Sequence, residues 1–373
     1  MNLNLNKAKK PLFHSLKLTK KEQLTKTIFT LEFEIPIELK ENFKFQAGQY
    51  LSFKSIYLGE EIFRDYSLTS APFENKITLG IKLSEKESFS KYLFENYNVG
   101  AFVQISEPQG RFTLISKPNE HRTILGFAAG IGITPILSHL KNILQEEPRT
   151  RFFLFFGNSY SDEIPFKKEL DALLHRCSDR LEIYYFFSKE PTNHLFQGHL
   201  NDKKLHLIIN QILNIDDTDE ESTIWDAVDE ILICGPGEMI KSLANESFKR
   251  GIPKKNIHFE LFDTFNEDIY PTEKEFPLIE NIEVEFKLYG ENFTTTIQNN
   301  KYKLLQQLLD QGFKVPYSCK SGICGICECT LLEGDIELLE NEYLTEKEEK
   351  SGKILACQTV ILSKKIKVNF DSV

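Results

Sequence analysis

Between Leu16 and Leu114 apolar and polar residues alternate in short runs rich in Phe, Ile, Thr and Tyr. Turn residues such as Gln46-Ala47-Gly48-Gln49 and Gln109-Gly110 separate them. A period of two puts every other side chain on one face, so this stretch predicts a small antiparallel β-barrel, with one helix over Ser90–Asn96. From Arg122 the pattern changes to strand, glycine turn and helix, in the order Thr123–Phe127, Ala128–Thr134, Pro135–Leu144. Further strands are predicted at Arg151–Phe156, Leu181–Phe187 and Glu230–Cys234, with a helical period over Phe166–Cys177. Strands and helices in alternation imply a parallel sheet covered on both faces.

Two stretches break this pattern. Asn201–Glu230 carries Asp216, Asp217, Asp219, Glu220 and Glu221, a charge run that reads as a solvated insertion without chemistry of its own. Asn266–Glu280 holds Pro271, Pro277 and several acids, a composition that resists packing and suits a linker. A new domain follows, opening with a strand pair at Ile282–Tyr289 and Asn292–Ile297 and a helix at Lys303–Gln311. The expected division is therefore a barrel over 1–117, a Rossmann-like α/β domain over 118–265, a linker over 266–280 and an α+β domain over 281–373.

Composition narrows the function. Against 45 bases stand 55 acids, a net charge of −10 over 373 residues, so the surface repels phosphate backbones and anionic lipid, and no nucleic-acid or membrane partner is expected. The longest apolar stretch, Ile124–Leu137, is 14 residues with three Gly and Pro135, short of the roughly 20 that cross a bilayer. The basic, polar start lacks the apolar core of a secretory signal, and a cytoplasmic protein is expected.

Of seven cysteines, Cys319, Cys324, Cys327, Cys329 and Cys357 fall in the last 55 residues. An odd count without an export signal argues against a disulfide framework, and Cys319-x4-Cys324-x2-Cys327 with Cys357 after 29 intervening residues fits thiolate ligation. Gly322 and Gly325 allow the loop to wrap with its amides turned toward sulfide. A four-cysteine zinc site uses the same residue type but usually shows paired C-x2-C knuckles, and one such pair is usable here. Cys329, alternating with Cys327, is expected to face the core as a small hydrophobe. This loop, with Leu332-Glu333-Gly334 and Leu355-Ala356-Cys357-Gln358, resembles the plant-type 2Fe-2S ferredoxins, a β-grasp fold. The resemblance implies that Cys319 and Cys324 hold one iron of a 2Fe-2S cluster and Cys327 and Cys357 the other.

In the barrel, Arg64-Asp65-Tyr66-Ser67 offers what a flavin dinucleotide needs: a cation for pyrophosphate, an aromatic platform and a hydroxyl. Ser67-Leu68-Thr69-Ser70-Ala71-Pro72, Gly80-Ile81-Lys82, Ser90-Lys91-Tyr92-Leu93 and Gly110-Arg111-Phe112 follow it, in an order similar to that of the ferredoxin-NADP reductase family. The resemblance implies FAD, with Arg64 on the pyrophosphate, Tyr66 stacked on the ring, Ser67 near N5, the Lys82 segment lining the cofactor and Ser90 opening a helix aimed at phosphate. The family usually has glycine before that helix; this chain has Glu87-Ser88-Phe89.

Ala128-Ala129-Gly130-Ile131-Gly132-Ile133-Thr134-Pro135 lies at a strand-to-helix turn, where backbone amides can approach a pyrophosphate. Cys234-Gly235-Pro236-Gly237 ends a later strand at the sheet edge where such folds bind ligands. The same resemblance implies contact of Cys234 with nicotinamide and matches Glu260 and Phe262 to an element at the flavin–nicotinamide junction. A core strand is the competing reading, above all for Phe262. Ser188-Lys189-Glu190 is similar to the element that holds a 2′-phosphate in relatives, whereas Gly157-Asn158-Ser159 lacks their arginine. NADPH is favoured over NADH.

The domain order resembles the reductase components of phenylacetyl-CoA epoxidase-type oxygenases. It implies an NAD(P)H-dependent electron-transfer reductase passing electrons through FAD to the cluster and on to an oxygenase, with Ser67, Cys234 and Glu260 at the transfer point. The acidic run Glu333–Glu349 could steer a basic acceptor or be a solvated loop. A general ferredoxin-type NAD(P)H reductase and a non-catalytic flavin and iron-sulfur sensor are the alternatives.

Overall fold

A computed structural model describes residues 12–84, 88–193, 195–213, 228–262, 265, 267, 269–270, 274–317, 322, 325–341 and 343–371. The chain divides into two compact units, one over residues 11–262 and one over 263–373. Among the described residues no helix is long and apolar enough to cross a membrane.

The first unit begins with six antiparallel strands: β1 Phe13–Gln23, β2 Ile28–Glu34, β3 Tyr50–Tyr57, β4 Glu60–Ser67, β5 Ile77–Lys82 and β6 Phe102–Ser106. They are ordered β4-β3-β6-β1-β2-β5, and a bridge from Leu68 to Leu79 joins the two ends of the sheet into a barrel. The period-two residues fill it: Leu16 and Leu18, Phe29, Leu31 and Phe33, Leu51 and Phe53, Ile77, Leu79 and Ile81, Val103 and Ile105 are all buried. Helix α1 (Phe89–Asn96) follows β5.

The same unit continues with a five-stranded parallel sheet: β7 Thr123–Ala129, β8 Arg151–Asn158, β9 Leu181–Phe187, β10 Glu230–Gly235 and β11 Ile257–Leu261, ordered β11-β10-β7-β8-β9. Its helices are α2 Ile133–Glu146, α3 Lys167–Arg176, α4 Asp202–Gln211 and α5 Gly237–Lys249. The chain moves outward from β7 through β8 to β9 and then returns to the other side of β7 as β10, so the order reverses between β7 and β10. The carboxyl ends of those two strands are where open α/β sheets bind ligands.

Helix α4 corrects the expectation of a solvated insertion over Asn201–Glu230. Leu205, Ile208 and Ile209 recur at helical spacing and are buried, and the Asn201 side chain caps the helix by accepting from Lys204 N–H (3.0 Å). The acidic run from Asp216 to Glu221 lies outside the described residues.

Helix α2 is buried around its circumference because one face covers the sheet and another meets the barrel. Ser138 Oγ donates to Ser70 O (2.7 Å), and Lys141 Nζ donates to Thr69 O (2.8 Å) while pairing with Glu74 (3.1 Å) and Glu169 (2.7 Å). His139 Nε2 lies 2.7 Å from Phe112 O; burial lowers its pKa to about 4, so the neutral ring donates to that carbonyl.

At the opposite, amino end of the sheet, Arg122 is buried with Glu147 and Glu230. Its Nε donates to Glu147 Oε2 (3.0 Å), a second donor reaches Glu147 Oε1, and Nη1 lies 3.4 Å from Glu230 Oε1. Thr150 and His258 complete the cluster. Glu147→Ala leaves a buried guanidinium without its two-oxygen partner and is expected to lower the unfolding free energy by about 3–5 kcal/mol in urea titrations of the whole protein. The double replacement Arg122→Met, Glu147→Leu is expected to lose less than the single one, because no buried guanidinium is left without its partner and Glu230 keeps its bond to His258 (2.9 Å).

The second unit contains β12 Glu280–Leu288, β13 Glu291–Asn299, β14 Glu328–Glu333, β15 Ile336–Leu338, β16 Lys353–Leu355, β17 Thr359–Ile361 and β18 Lys365–Asn369, with helices α6 Leu304–Asp310 and α7 Glu346–Lys350. The main sheet runs β13-β12-β18-β14-β16, with β12 and β18 parallel, and β15 pairs with β17. Ile282, Val284, Phe286 and Leu288 alternate inward from β12 to meet Leu304, Leu305 and Leu308 of α6. The stretch expected to resist packing is in part packed. Ile269 and Tyr270 are buried, and Asn300 ties its end down by accepting from Ile279 N–H (3.0 Å) and donating to Pro277 O (3.0 Å) and Ile361 O (2.9 Å).

Candidate electron-transfer sites

Strands β10 and β11 pair in parallel with Cys234 opposite Glu260, at the carboxyl edge of the sheet. From the barrel, β4 ends at Ser67, whose Oγ donates to Glu260 Oε2 (3.0 Å). The three residues expected at the transfer point, separated by up to 193 positions, thus come together in one place. Burial pushes the Glu260 carboxyl up to about 8; the Ser67 hydrogen bond pulls it down and the charge of Asp65 adds to the rise. Burial, and then the charge of Glu260, raises the Cys234 thiol well above its ordinary value, so it stays neutral. Phe262 lies just past the end of β11 and is 40% exposed, so it is not a core residue.

Arg64 and Tyr66 face Phe53 and Leu51 across the β3–β4 ladder and therefore share one face. Tyr66 is half-buried and meets Phe53 edge-on (5.3 Å, 86°). Arg64 is exposed, bonds only the Phe63 carbonyl (2.8 Å) and pairs with no carboxylate among the described residues. Lys82 is exposed at the end of β5. Ser90 does not open its helix: Ser88 is the N-cap and accepts from Lys91 N–H (3.3 Å), while Ser90 Oγ accepts from Ser84 N–H (3.2 Å) and lies 3.1 Å from Ser88 Oγ. Both serines satisfy a cap pattern, and only the backbone decides between them. An exposed cation, a half-buried tyrosine and a buried serine hydroxyl fit the pyrophosphate, ring and polar edge of FAD.

Gly130–Gly132 form a 3-10 turn at the end of β7, and a Cβ on Gly132 would overlap the carbonyl oxygen of Cys234. Only glycine lets this turn close on the neighbouring strand. Thr134 Oγ1 donates to Ile131 O (2.9 Å), and Pro135 falls in the first turn of α2, where no amide hydrogen is needed. No side chain caps α2; its first amide, Ile133 N–H, donates back to Gly130 O and Ile131 O, and Gly235 and the exposed Pro236 lie beside this turn at the β7–β10 crevice. Ser188 and Lys189 follow β9, and their amides bond Asn158 O (3.0 Å) and Ser159 O (3.1 Å).

In the second unit Glu328 pairs with Leu355 across the β14–β16 ladder, and Ala356 N–H donates to Cys327 O (3.1 Å). This ladder brings Cys327 and Cys357 together from positions 30 apart; Cys319 and Cys324 lie outside the described residues. Gly322 and Gly325 have φ of +77° and +72°, and a Cβ on either would overlap the Glu340 carbonyl or the Tyr343 ring. Tyr343 and Glu340 thus wall the cysteine loop, a contact with no mark in the sequence. Their segment is set by Asn341, which accepts from Tyr343 N–H (3.0 Å) and Leu344 N–H (2.6 Å). Cys329, opposite Ile354, is fully buried in the apolar core, and burial raises its thiol. Two buried, unbridged cysteines on either side of one backbone hydrogen bond, with two glycines of positive φ in the same segment, fit a 2Fe-2S cluster.

Family models match in the same order: an oxidoreductase FAD-binding domain over residues 15–114, an oxidoreductase NAD-binding domain over 127–245 and a 2Fe-2S iron-sulfur cluster binding domain over 286–362. The chain is 30% identical to a component of the 1,2-phenylacetyl-CoA epoxidase of Escherichia coli K12, over 96% of this chain and 98% of that protein. It is 27% identical to the ferredoxin reductase component of 3-ketosteroid-9-alpha-monooxygenase of Rhodococcus rhodochrous, over 91% and 92%. Among solved structures, phthalate dioxygenase reductase shares the fold with a TM-score of 0.53 and 21% identity, over 96% of this chain and 98% of that one.

Proposed function

Because the chain belongs to the family of FAD- and 2Fe-2S-containing oxygenase reductases that includes this 1,2-phenylacetyl-CoA epoxidase component, we propose that its acceptor is a multicomponent oxygenase of the epoxidase type and its donor NADPH. It is an NAD(P)H-dependent flavin and iron-sulfur oxidoreductase. When bound, FAD exchanges electron pairs with nicotinamide and single electrons with the 2Fe-2S cluster.

The meeting of Ser67 with Glu260 and Cys234 carries this reading, since it joins the flavin barrel to the carboxyl edge of the nucleotide sheet. Ser67 and Glu260 hold a hydrogen bond at the transfer point, and Cys234 supplies a small neutral wall. Arg64 answers the pyrophosphate of FAD, Tyr66 the ring, and Lys82, Ser88 and Ser90 the remaining polar groups. The Gly130–Gly132 turn, Thr134, Pro135, Gly235 and Pro236 receive the nicotinamide nucleotide, Phe262 flanks the junction, and Ser188 and Lys189 take the adenosine end. Cys319, Cys324, Cys327 and Cys357 hold the cluster. We keep the boundaries 1–117, 118–265, 266–280 and 281–373, and place the protein in the cytoplasm, where unbridged thiols such as Cys177 and Cys234 persist.

Anaerobic titration with NADPH tests this function: flavin absorbance is expected to bleach, followed by a rhombic electron paramagnetic resonance signal. An unchanged flavin spectrum in excess NADPH and NADH would defeat it.

A further inference from the structure

The loops that leave β8 and β9 are locked together by one carboxylate. Glu190 accepts from Ser161 N–H (2.7 Å) and Ser161 Oγ–H (3.0 Å), across 29 positions of chain. Its neighbour Lys189 is exposed and pairs with no carboxylate among the described residues. Ser161 begins a short 3-10 turn, so Glu190 satisfies an end amide that would otherwise lack a partner.

A carboxylate at the end of such a strand favours NADH by accepting from the ribose 2′-hydroxyl and repels the 2′-phosphate of NADPH. We propose that the Glu190–Ser161 latch makes this reductase selective for NADPH, by occupying the carboxylate and leaving Lys189 as the charge offered to the 2′-phosphate. This rests on the reading that the Ser188–Lys189 loop takes the adenosine end. Ser161 and Glu190 act as positioning residues, through Lys189.

Ser161→Pro removes both donors at a position suited to proline, the first residue of a helical turn preceded by Tyr160 in extended conformation (φ −139°, ψ 157°). In stopped-flow flavin reduction, the NADPH preference of Ser161→Pro is expected to fall roughly tenfold as the freed carboxylate meets the phosphate. Affinity for 2′,5′-ADP, measured by calorimetry, is expected to fall in parallel. Ser161→Thr, which keeps both donors, is expected to hold the ratio. Adding Glu190→Gln to Ser161→Pro removes the charge and is expected to recover NADPH, which a merely structural role for Ser161 would not allow. A wild-type preference for NADH, an unmoved ratio in Ser161→Pro, or no recovery in the double variant each overturns the latch. Lys189→Ala separates the two levels. If it weakens NADPH and 2′,5′-ADP while Ser161→Pro changes neither, only the latch fails; if it changes neither, the placement of the adenosine end fails with it.

Discussion

Cys357→Ser and Cys327→Ser are expected to abolish the rhombic resonance signal and to cut electron delivery to a protein acceptor to below about 1% of wild type, because on the proposed ligand set each removes one of the four thiolates that would share the charge of the cluster. Flavin bleaching by NADPH is expected to survive in both, since Ser67, Glu260 and Cys234 belong to the other compact unit of the chain. Cys329→Ser is the contrasting variant. Its side chain is enclosed among apolar residues opposite Ile354, so it is expected to keep the cluster signal and to lose about 1–3 kcal/mol of stability by burying a hydroxyl without a partner. Iron content, resonance spectra and urea melts of the three proteins check this. An intact cluster in Cys357→Ser would move the fourth ligand elsewhere, with Cys329 the first alternative.

Glu260→Gln is expected to slow NADPH-dependent flavin reduction by about a hundredfold, the size of effect found when a positioned acid or base is lost at a reaction centre. The pH profile separates this from a packing defect. With its carboxyl pushed up to about 8, Glu260 is mostly protonated at neutral pH and ionises as the pH rises through that value. The wild-type rate is therefore expected to fall above pH 8 and the Glu260→Gln rate to stay flat. Stability follows with the same sign. A carboxyl whose folded pKa lies above its ordinary 4.5 contributes most below pH 4.5 and loses that contribution as the pH climbs to 8. The cofactor-free protein is thus expected to be less stable at pH 9 than at pH 6, and Glu260→Gln to abolish most of the difference. A wild-type profile without a step between pH 7 and 9 would remove Glu260 from the transfer point.

Local chemistry makes much of this arrangement legible. Alternating Leu16/Leu18, Phe29/Leu31/Phe33 and Ile77/Leu79/Ile81 announce the barrel, because a strand with one wet face must alternate. The Gly130–Gly132 turn is visible because only glycine tolerates the approach to Cys234. Helix α4 is hidden in a segment dominated by its acids, although Leu205, Ile208 and Ile209 carry the helical period; the charge run beyond it masks a short amphipathic signal. Ser88 and Ser90 compete for one cap position, and spacing alone does not choose between them.

From the order of its residues the chain determines its modules, the cysteine loop and the classes of cofactor, since periodicity, glycine placement and thiol spacing are properties of neighbouring residues. Tertiary structure decided the rest: that Ser67 meets Glu260, that Ala356, next to Cys357, bonds back to Cys327, that Tyr343 walls Gly325 and that Glu190 answers Ser161. Those pairs are made by strand order, by loops that close on one another and, for Ser67 and Glu260, by the packing of α2 against the barrel. The shifted ionisation of Glu260 arises the same way, from burial that only the assembled unit provides.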